Sequence, residues 1–361
     1  MSFQRIGLHL TDRCQLDCQH CLRDPEHKPS DLPLDIIAHV LDQAVGFYKI
    51  KHVSLTGGEP SLHPEFAAVL DAIAVRGCQW DMVTNGKRFA AVLALLDQQP
   101  ARRASFRSMS LSLDGVDEAT HDHIRGKDSY RDVMTAATLC QVRGIRFGIQ
   151  MAVHAGNQAQ IEQMGLLASQ LGAAHVSFAM TQPTGTVHDT ALFLPASAWR
   201  AVQDRIERLS ETLKLPVIMP EGYYRERPFG DCGPFRGETL HVDVRGWLTL
   251  CCMHSGIPSD GRKTDVAGDL HEVSLLEAHR NLLSIIHEAQ VEKLAAIESK
   301  KLDEWDQFPC NYCLRTFGKV HWTRDGAKGP EAQRERWRGA WALEAKTAHR
   351  PEKVRTLRVI D

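Results

Sequence analysis

Three cysteines lie close together near the start of the chain and have the chemistry of metal ligands. In the stretch TDRCQLDCQHC, Cys14, Cys18 and Cys21 follow the spacing C-x3-C-x2-C. Thiolates are soft ligands that suit iron–sulfur clusters and zinc. Because a closed tetrahedral site needs four ligands, either a fourth ligand such as His9 or His20 completes it, or one metal position is open to substrate.

A second set of cysteines follows residue 230 and is large enough to form a closed site. Cys232 begins the stretch CGPFRG, and Cys251 ends a G-x4-C pattern. The stretch FPCNYC adds a C-x2-C pair at Cys310 and Cys313. Four thiolates need no histidine, so this set predicts either a fully ligated iron–sulfur cluster or a structural zinc site.

The composition indicates an ordinary globular protein and argues against several classes of partner. The 361 residues are 43% apolar and 24% charged, with a formal net charge of −2. Nucleic-acid binders usually carry a basic excess, so we expect no nucleic-acid partner. The chain has neither an apolar run long enough to span a bilayer nor a signal peptide at its start. We therefore expect a cytoplasmic protein without a membrane partner, whose ten cysteines stay reduced and whose clustered cysteines serve metal sites.

Short β-like runs alternate with amphipathic helical stretches over the first half of the chain. The predicted strands span residues 5–10, 52–56, 79–84, 108–113, 146–153 and 175–181. Consecutive β-α units imply a parallel sheet with right-handed crossovers, closed or partly closed into a barrel. Functional residues of such barrels lie at the carboxyl ends of the strands, and the cysteine triad follows the first strand.

The pattern changes after about residue 191. A helix is predicted over residues 194–213, a short strand pair around Gly246, and a helical run over residues 273–305. The tail from Arg324 onward is polar and helix-prone. The fold class is therefore α/β: a partial (β/α)6 TIM-like barrel, then a small α+β domain that carries the second cysteine set, then a helical C-terminal tail.

Further motifs follow the predicted strands, and together with the triad they resemble those of the radical S-adenosylmethionine (SAM) superfamily. They are GGEP after strand two, TNG after strand three, SLDG after strand four, and HDHIRG beyond it. Adjacent glycines such as Gly57 and Gly58 let a ligand approach the backbone closely. Each string alone is weak evidence, but their order along one barrel is specific.

The resemblance implies that Cys14, Cys18 and Cys21 bind a 4Fe–4S cluster whose open iron chelates the amino and carboxylate groups of SAM. Reduction of the bound SAM would release a 5′-deoxyadenosyl radical that takes a hydrogen atom from the substrate. Arg125 either pairs with the methionine carboxylate or is a surface arginine. The implied SAM contacts are Gly57, Gly58, Glu59, Asn85, Ser112, Asp114 and Arg125.

The second cysteine set is similar to that of the SPASM and twitch group in the same superfamily, whose C-terminal extensions hold auxiliary clusters. No cysteine follows Cys313, so the count allows one auxiliary 4Fe–4S cluster, and two clusters are expected in all. Cys252 replaces Cys251 as a ligand, is a thiol that donates a hydrogen atom, or is a buried or half-buried residue with neither role. The implied auxiliary ligands are Cys232, Cys251, Cys310 and Cys313.

The resemblance predicts three domains and a radical SAM oxidoreductase. The barrel would span residues 1–205, the twitch-like domain 206–322 and the basic tail 323–361. We expect a small-molecule or peptide substrate, and a flavodoxin or ferredoxin as electron donor. Alternatives are an epimerase or peptide (RiPP) maturase that uses Cys252 as hydrogen donor, and a non-catalytic iron–sulfur protein. Because no peptide-recognition domain precedes Cys14, the sequence favours a small molecule or a separately delivered peptide.

Overall fold

The structure is a computed structural model that describes residues 5–22, 28–182, 192–226, 232–255, 257 and 263–319. Alternation of strands and helices dominates these ranges. The strands are β1 (Arg5–Thr11), β2 (His52–Gly57), β3 (Gln79–Thr84), β4 (Phe106–Ser112), β5 (Phe147–Val153), β6 (Val176–Met180), β7 (Val217–Ile218), β8 (Thr239–Val242), β9 (Trp247–Thr249) and β10 (Val266–Asp269). The α-helices are α1 (Leu34–Tyr48), α2 (Phe66–Val75), α3 (Phe89–Gln98), α4 (Pro100–Ser105), α5 (Glu118–Arg125), α6 (Ser129–Val142), α7 (Ile161–Gln170), α8 (Ala196–Thr212), α9 (Cys252–Ser255), α10 (Leu275–Glu298) and α11 (Pro309–Thr316).

All ten strands form one sheet in the order β10-β9-β8-β1-β2-β3-β4-β5-β6-β7. Strands β1 to β6 are parallel to their neighbours in chain order, which confirms the six predicted strands and the β-α alternation. Strand β8 joins the sheet parallel to β1, and the β8–β9 hairpin turns at Gly246. That glycine has φ +79°, a backbone conformation that favours glycine. The hairpin therefore turns at the residue around which the sequence predicted a strand pair.

The core of the sheet comes from apolar residues that stand in register on neighbouring strands. Leu8 pairs with Leu55, Leu55 with Met82, Met82 with Met109, and Met109 with Phe147. All five side chains are buried. Since burying one such side chain contributes about 1.5–3 kcal/mol, this row strongly favours the register that brings the strand ends together.

The helices cover the sheet with apolar faces. In α1 the buried side chains are Ile36, Ile37, Val40, Leu41 and Ala44, which recur at helical spacing. The two long helices predicted in the second half are α8 and α10.

The predicted domain boundary at 205/206 falls inside α8, and the division into domains stays a prediction. The tail at 323–361 lies outside the described residues. Among the helices that the structure describes, none is long and apolar enough to cross a membrane.

Candidate active site

A cavity of about 320 Å³ lies where the parallel strands end. The loop after β1 forms one part of its wall, the carboxyl ends of the strands form another, and residues 243–255 contribute the rest. The wall residues at or just beyond the strand ends include Thr56, Thr84, Ser112, Thr181 and Gln182. Parallel barrels place their reactive groups at this end, so the cavity is the candidate active site.

The cysteine triad lies on the cavity wall in the loop that follows β1. All three cysteines line the cavity, and the backbone amide of Cys21 donates to the carbonyl of Cys18 at 3.0 Å. The loop is anchored to α5, because Gln19 N donates to the Ile124 carbonyl at 3.0 Å and Gln19 Nε2 to the His123 carbonyl at 2.7 Å. Burial raises the pKa of the Cys18 thiol to about 12. A metal bound to that sulfur would have to displace its proton.

The two glycines of GGEP let the loop after β2 lie directly against the cysteine loop. A Cβ added at Gly57 would stand 2.4 Å from the Thr11 carbonyl oxygen, and one at Gly58 would stand 2.4 Å from the Arg13 carbonyl oxygen. Gly58 N donates to the Thr11 carbonyl at 2.7 Å. Both glycines line the cavity, so the close approach they permit joins two walls of the site as well as leaving room for a ligand.

Glu59 is fully buried and does not line the cavity. Its carboxylate accepts hydrogen bonds from Ser61 Oγ at 2.7 Å, Thr84 Oγ1 at 2.9 Å and Asn85 N at 3.0 Å. Burial raises its pKa, and these hydrogen bonds oppose the rise. Glu59 therefore ties the ends of β2 and β3 together and positions Thr84 and Asn85, both of which line the cavity.

Asp114 is also fully buried, and it holds two side chains that line the cavity. Its Oδ2 accepts from Arg125 Nε at 2.5 Å and lies 2.8 Å from His20 Nε2. Its Oδ1 accepts from Ala152 N at 2.8 Å. Burial alone would raise the pKa of Asp114, but the charges of Arg125 and His20 hold it well below its ordinary value. The structure thus places Asp114 behind the site, while Arg125 and Ser112 lie on its wall.

His20 contacts Asp114 and lines the cavity, a position that its spacing within the triad motif did not predict. With Nε2 on Asp114, the other ring nitrogen, Nδ1, is buried and has no hydrogen-bond partner among the described residues. A buried polar atom of this kind usually has a partner in the complete assembly. The side chain lines the cavity, so a bound molecule can supply that partner.

The turn of the β8–β9 hairpin brings a cation, Arg245, to the cavity wall. Arg245 donates from Nε and Nη2 to Asp243 Oδ2, at 2.9 and 2.8 Å. Its guanidinium lies 4.0 Å from the centre of the Trp247 ring. These contacts hold Arg245 in one orientation on the cavity wall, where a guanidinium suits a carboxylate or carbonyl group.

The second cysteine set surrounds a smaller cavity beside the first. Cys232, Cys251, Cys310 and Cys313 all line it. Among the residues that the structure describes, no three potential ligands converge closely enough to hold a single metal ion. In a 4Fe–4S cluster each thiolate binds its own iron, so the ligands of a cluster stand further apart than those of one ion. Burial raises the pKa of Cys310 to about 12 and that of Cys313 well above its ordinary value.

The adjacent Cys251 and Cys252 differ in which cavity they line. Cys251 lines the smaller cavity with the other three cysteines, whereas Cys252 is exposed and lines the larger cavity. Gln182 and Met253 border both cavities. These two residues therefore form a wall that the two cavities share. Gln182 was not among the site residues predicted from the sequence, although it directly follows a predicted strand.

The cysteines that line the two cavities indicate iron–sulfur chemistry, and comparisons with known proteins give the class of the domain that carries the first three. Residues 8–166 match the family model of the Radical SAM superfamily. The chain therefore contains a radical SAM domain. Enzymes of this family bind a 4Fe–4S cluster and SAM. The three cysteines on one wall, the Arg125 guanidinium and the unpartnered His20 Nδ1 fit these two cofactors.

Similar curated proteins are named PqqA peptide cyclase. The one from Methylorubrum populi is 29% identical over 264 residues, which cover 70% of this chain and 67% of that protein. The one from Gluconobacter oxydans is 28% identical over 261 residues, or 69% of this chain and 70% of that protein.

Solved structures of two peptide-associated enzymes share the fold. Streptococcus suis SuiB bound to precursor peptide SuiA has a TM-score of 0.62 at 14% identity, covering 77% of this chain but 64% of SuiB. Native anSMEcpe with bound AdoMet has a TM-score of 0.61 at 14% identity, covering 96% of this chain and 99% of that one. At this level of identity the likeness concerns the fold alone, an α/β fold with a parallel sheet.

Proposed function

We propose that this radical SAM enzyme oxidises a peptide with the help of an auxiliary 4Fe–4S cluster. One observation carries the proposal: the cavity of the cysteine triad adjoins the cavity of Cys232, Cys251, Cys310 and Cys313 across Gln182 and Met253. A substrate in the larger cavity would thus lie between the two clusters. This adjacency favours a second cluster that takes part in the reaction over a distant second site with a purely structural role.

The residues of the larger cavity would hold the cofactors and exclude water. Cys14, Cys18 and Cys21 would bind the first cluster, and Arg125, fixed by Asp114, would bind the SAM carboxylate. Asn85 and Ser112 would contact the rest of SAM, and Glu59 would act by positioning Asn85. When bound, the cluster and SAM supply one-electron cleavage and hydrogen-atom abstraction from the substrate.

The four remaining cysteine ligands favour net oxidation. A cluster that is fully ligated by Cys232, Cys251, Cys310 and Cys313 has no free iron for substrate, so its chemical role would be electron transfer. After loss of a hydrogen atom, the substrate would lose one electron to this cluster and one proton to solvent or a base. The product is then two electrons more oxidised and about two mass units lighter than the substrate.

A peptide is the substrate class that the relatives favour over a small molecule. The named relatives are PqqA peptide cyclases, and one structural neighbour is bound to a precursor peptide. We propose a cytoplasmic enzyme reduced by a flavodoxin or ferredoxin, because its thiols and clusters need a reducing compartment.

A second candidate function is epimerisation, and the position of Cys252 favours it. Its thiol is exposed and lines the larger cavity, not the cavity of the other four cysteines. From there it could return a hydrogen atom to a substrate radical, with no net oxidation. Solvent deuterium in the product would distinguish this function from oxidation.

Anaerobic reconstitution tests the proposal. The protein should hold about eight irons per chain, and SAM with dithionite should give 5′-deoxyadenosine by mass spectrometry. With the peptide precursor from its own genomic neighbourhood, it should form a product two mass units lighter. A chain that holds about four irons, or a product of unchanged mass that carries solvent deuterium, would contradict oxidation through an auxiliary cluster.

A further inference from the structure

Gln182 lies where the two cavities meet, and its side chain is almost completely buried. It follows the end of β6, lines both cavities and is only 3% exposed. Its side-chain oxygen, Oε1, is buried and has no hydrogen-bond partner among the described residues. Since a buried acceptor without a partner is costly, such an atom usually has a partner in the complete assembly.

The carboxamide nitrogen of Gln182 shows which way the group is turned. Nε2 donates to the Met180 carbonyl at 3.4 Å. It also lies beside Gly222, because a Cβ added there would stand 3.5 Å from Nε2 and 3.1 Å from Cys310 Sγ. Exchanging the nitrogen and the oxygen would turn two acceptors, the side-chain oxygen and the Met180 carbonyl, towards each other. The nitrogen therefore stays on the side of Met180, and Oε1 is the atom left for a bound molecule.

The partner that Oε1 lacks must be a hydrogen-bond donor, because a carboxamide oxygen can only accept. A carboxylate or a ketone offers no donor, whereas a peptide offers a backbone N–H at nearly every residue. SAM carries donors as well, but the triad and Arg125 would hold it, whereas Gln182 also borders the cavity of the auxiliary cysteines. A substrate that lies between the two clusters is therefore the molecule that would reach Gln182.

We infer that Gln182 binds the peptide substrate by accepting a hydrogen bond from one of its backbone N–H groups at Oε1. The inference deepens the proposed function and rests on it, because it requires a peptide in the larger cavity. Gln182 is then a specificity-determining residue. It favours a peptide amide over an ester or a carboxylate, since either of these would leave Oε1 without a partner.

Peptide binding to the reconstituted full-length enzyme tests the inference without turnover. The probe is the fluorescently labelled precursor peptide from the genomic neighbourhood of the enzyme, titrated with SAM present and without reductant. A set of such peptides, each with one backbone amide replaced by an ester, removes the N–H groups one at a time. Gln182→Met removes the acceptor oxygen at similar length. Gln203→Met is the matched control, because Gln203 Oε1 is also buried without a partner among the described residues but lines neither cavity.

In the unsubstituted enzyme, one of the esters should weaken peptide binding about 10-fold. Q182M should bind the all-amide peptide about 10-fold more weakly, and it should bind that ester as tightly as the amide. Q203M should discriminate between the two as the unsubstituted enzyme does. If Q182M still discriminates against every ester to the same degree, or if Q203M loses the discrimination equally, the inference is wrong.

Two further measurements separate substrate binding from other roles of Gln182. The dissociation constant of SAM should be the same in Q182M and in the unsubstituted enzyme, and weaker SAM binding would assign the donor to SAM and overturn the inference. The free energy of unfolding of apo Q182M in urea should not be lower, because the substitution removes a buried group without a partner. A lower value would assign Gln182 a structural role instead.

Failure of the inference and failure of the proposed function give different results. An unsubstituted enzyme that binds the peptide with this discrimination but forms no lighter product would overturn the proposed oxidation and leave the inference standing. An unsubstituted enzyme that oxidises the peptide, with no ester effect specific to Gln182, would overturn the inference alone. If it binds no peptide, the proposed substrate class and the inference are both wrong.

Discussion

The two groups of cysteines are assembled in different ways. Cys14, Cys18 and Cys21 come from one short loop on the wall of a cavity of about 320 Å³. The four auxiliary cysteines come from three segments that meet only in the folded chain, and they surround a smaller cavity. The local motif can be recognised from spacing and would leave one iron of a bound 4Fe–4S cluster open. The second set depends on tertiary structure and, as the proposed ligands of a second cluster, would leave no iron open, which suits electron transfer rather than substrate binding.

The strongest test of this difference is to remove the local motif. Replacing Cys14, Cys18 and Cys21 with Ala should abolish SAM cleavage, because no iron would remain to bind the cofactor. About four irons per chain should stay, in the second site. Iron analysis and detection of 5′-deoxyadenosine measure both effects. The matched variant, Cys232→Ala with Cys310→Ala, should lose about four irons but still cleave SAM. Loss of all iron from the first variant would mean that the two sites are not independent.

A finer test separates two neighbouring thiols. Cys251→Ala should lose most of the auxiliary iron, because Cys251 lines the smaller cavity with the other ligands. Cys252→Ala should keep the iron, since that thiol lines the larger cavity. Iron content and the auxiliary paramagnetic signal provide the measurement, with each variant serving as the control for the other. If Cys252→Ala lost the iron and Cys251→Ala kept it, Cys252 would be the cluster ligand instead of Cys251.

The sequence predicted the elements better than it predicted which side chains are buried. The six main strands follow from local alternation, whereas β7 and β10 were not predicted and are recognised only by their pairing with β6 and β9. Motif positions indicated which loops meet at the barrel end, since parallel strands bring their carboxyl ends together. They could not show that Glu59 and Asp114 lie behind the wall, because that depends on partners brought close by the fold.

Arg125 allows a test of the cofactor contacts at the first site. Arg125→Ala should weaken SAM binding about 10- to 100-fold, because it removes a charge-assisted contact to the carboxylate. The dissociation constant can be measured by titration of the reconstituted enzyme without turnover. Lys87→Met is the control, since Lys87 is a nearby cation that pairs with Asp132 at 3.2 Å and does not line the cavity. If R125A binds SAM as tightly as the unsubstituted chain, Arg125 stabilises the charge of Asp114 and does not bind the cofactor.

Lowering the pH should destabilise the fold around the first site, and this effect should be smaller than those predicted above. His121 and His154 are buried behind the first site, and burial lowers the pKa of each from 6.5 to about 4. His121 Nδ1 accepts from Asp114 N at 3.0 Å, which requires that nitrogen to be unprotonated. Between these two pKa values the unfolded chain binds more protons than the folded one, so the free energy of unfolding falls as the pH falls. For His121 alone the loss from pH 7 to pH 5 is about 2 kcal/mol.

Urea unfolding of the apo-protein at pH 7 and pH 5 measures this loss. His121→Asn keeps a hydrogen-bond acceptor but does not titrate, so the difference in unfolding free energy between the two pH values should shrink by about 2 kcal/mol. His287→Asn, at an exposed position of α10, should leave the difference unchanged. If both variants behave alike, acid acts elsewhere in the chain. A selective effect of H121N would show that the polar framework behind the first site is acid-sensitive.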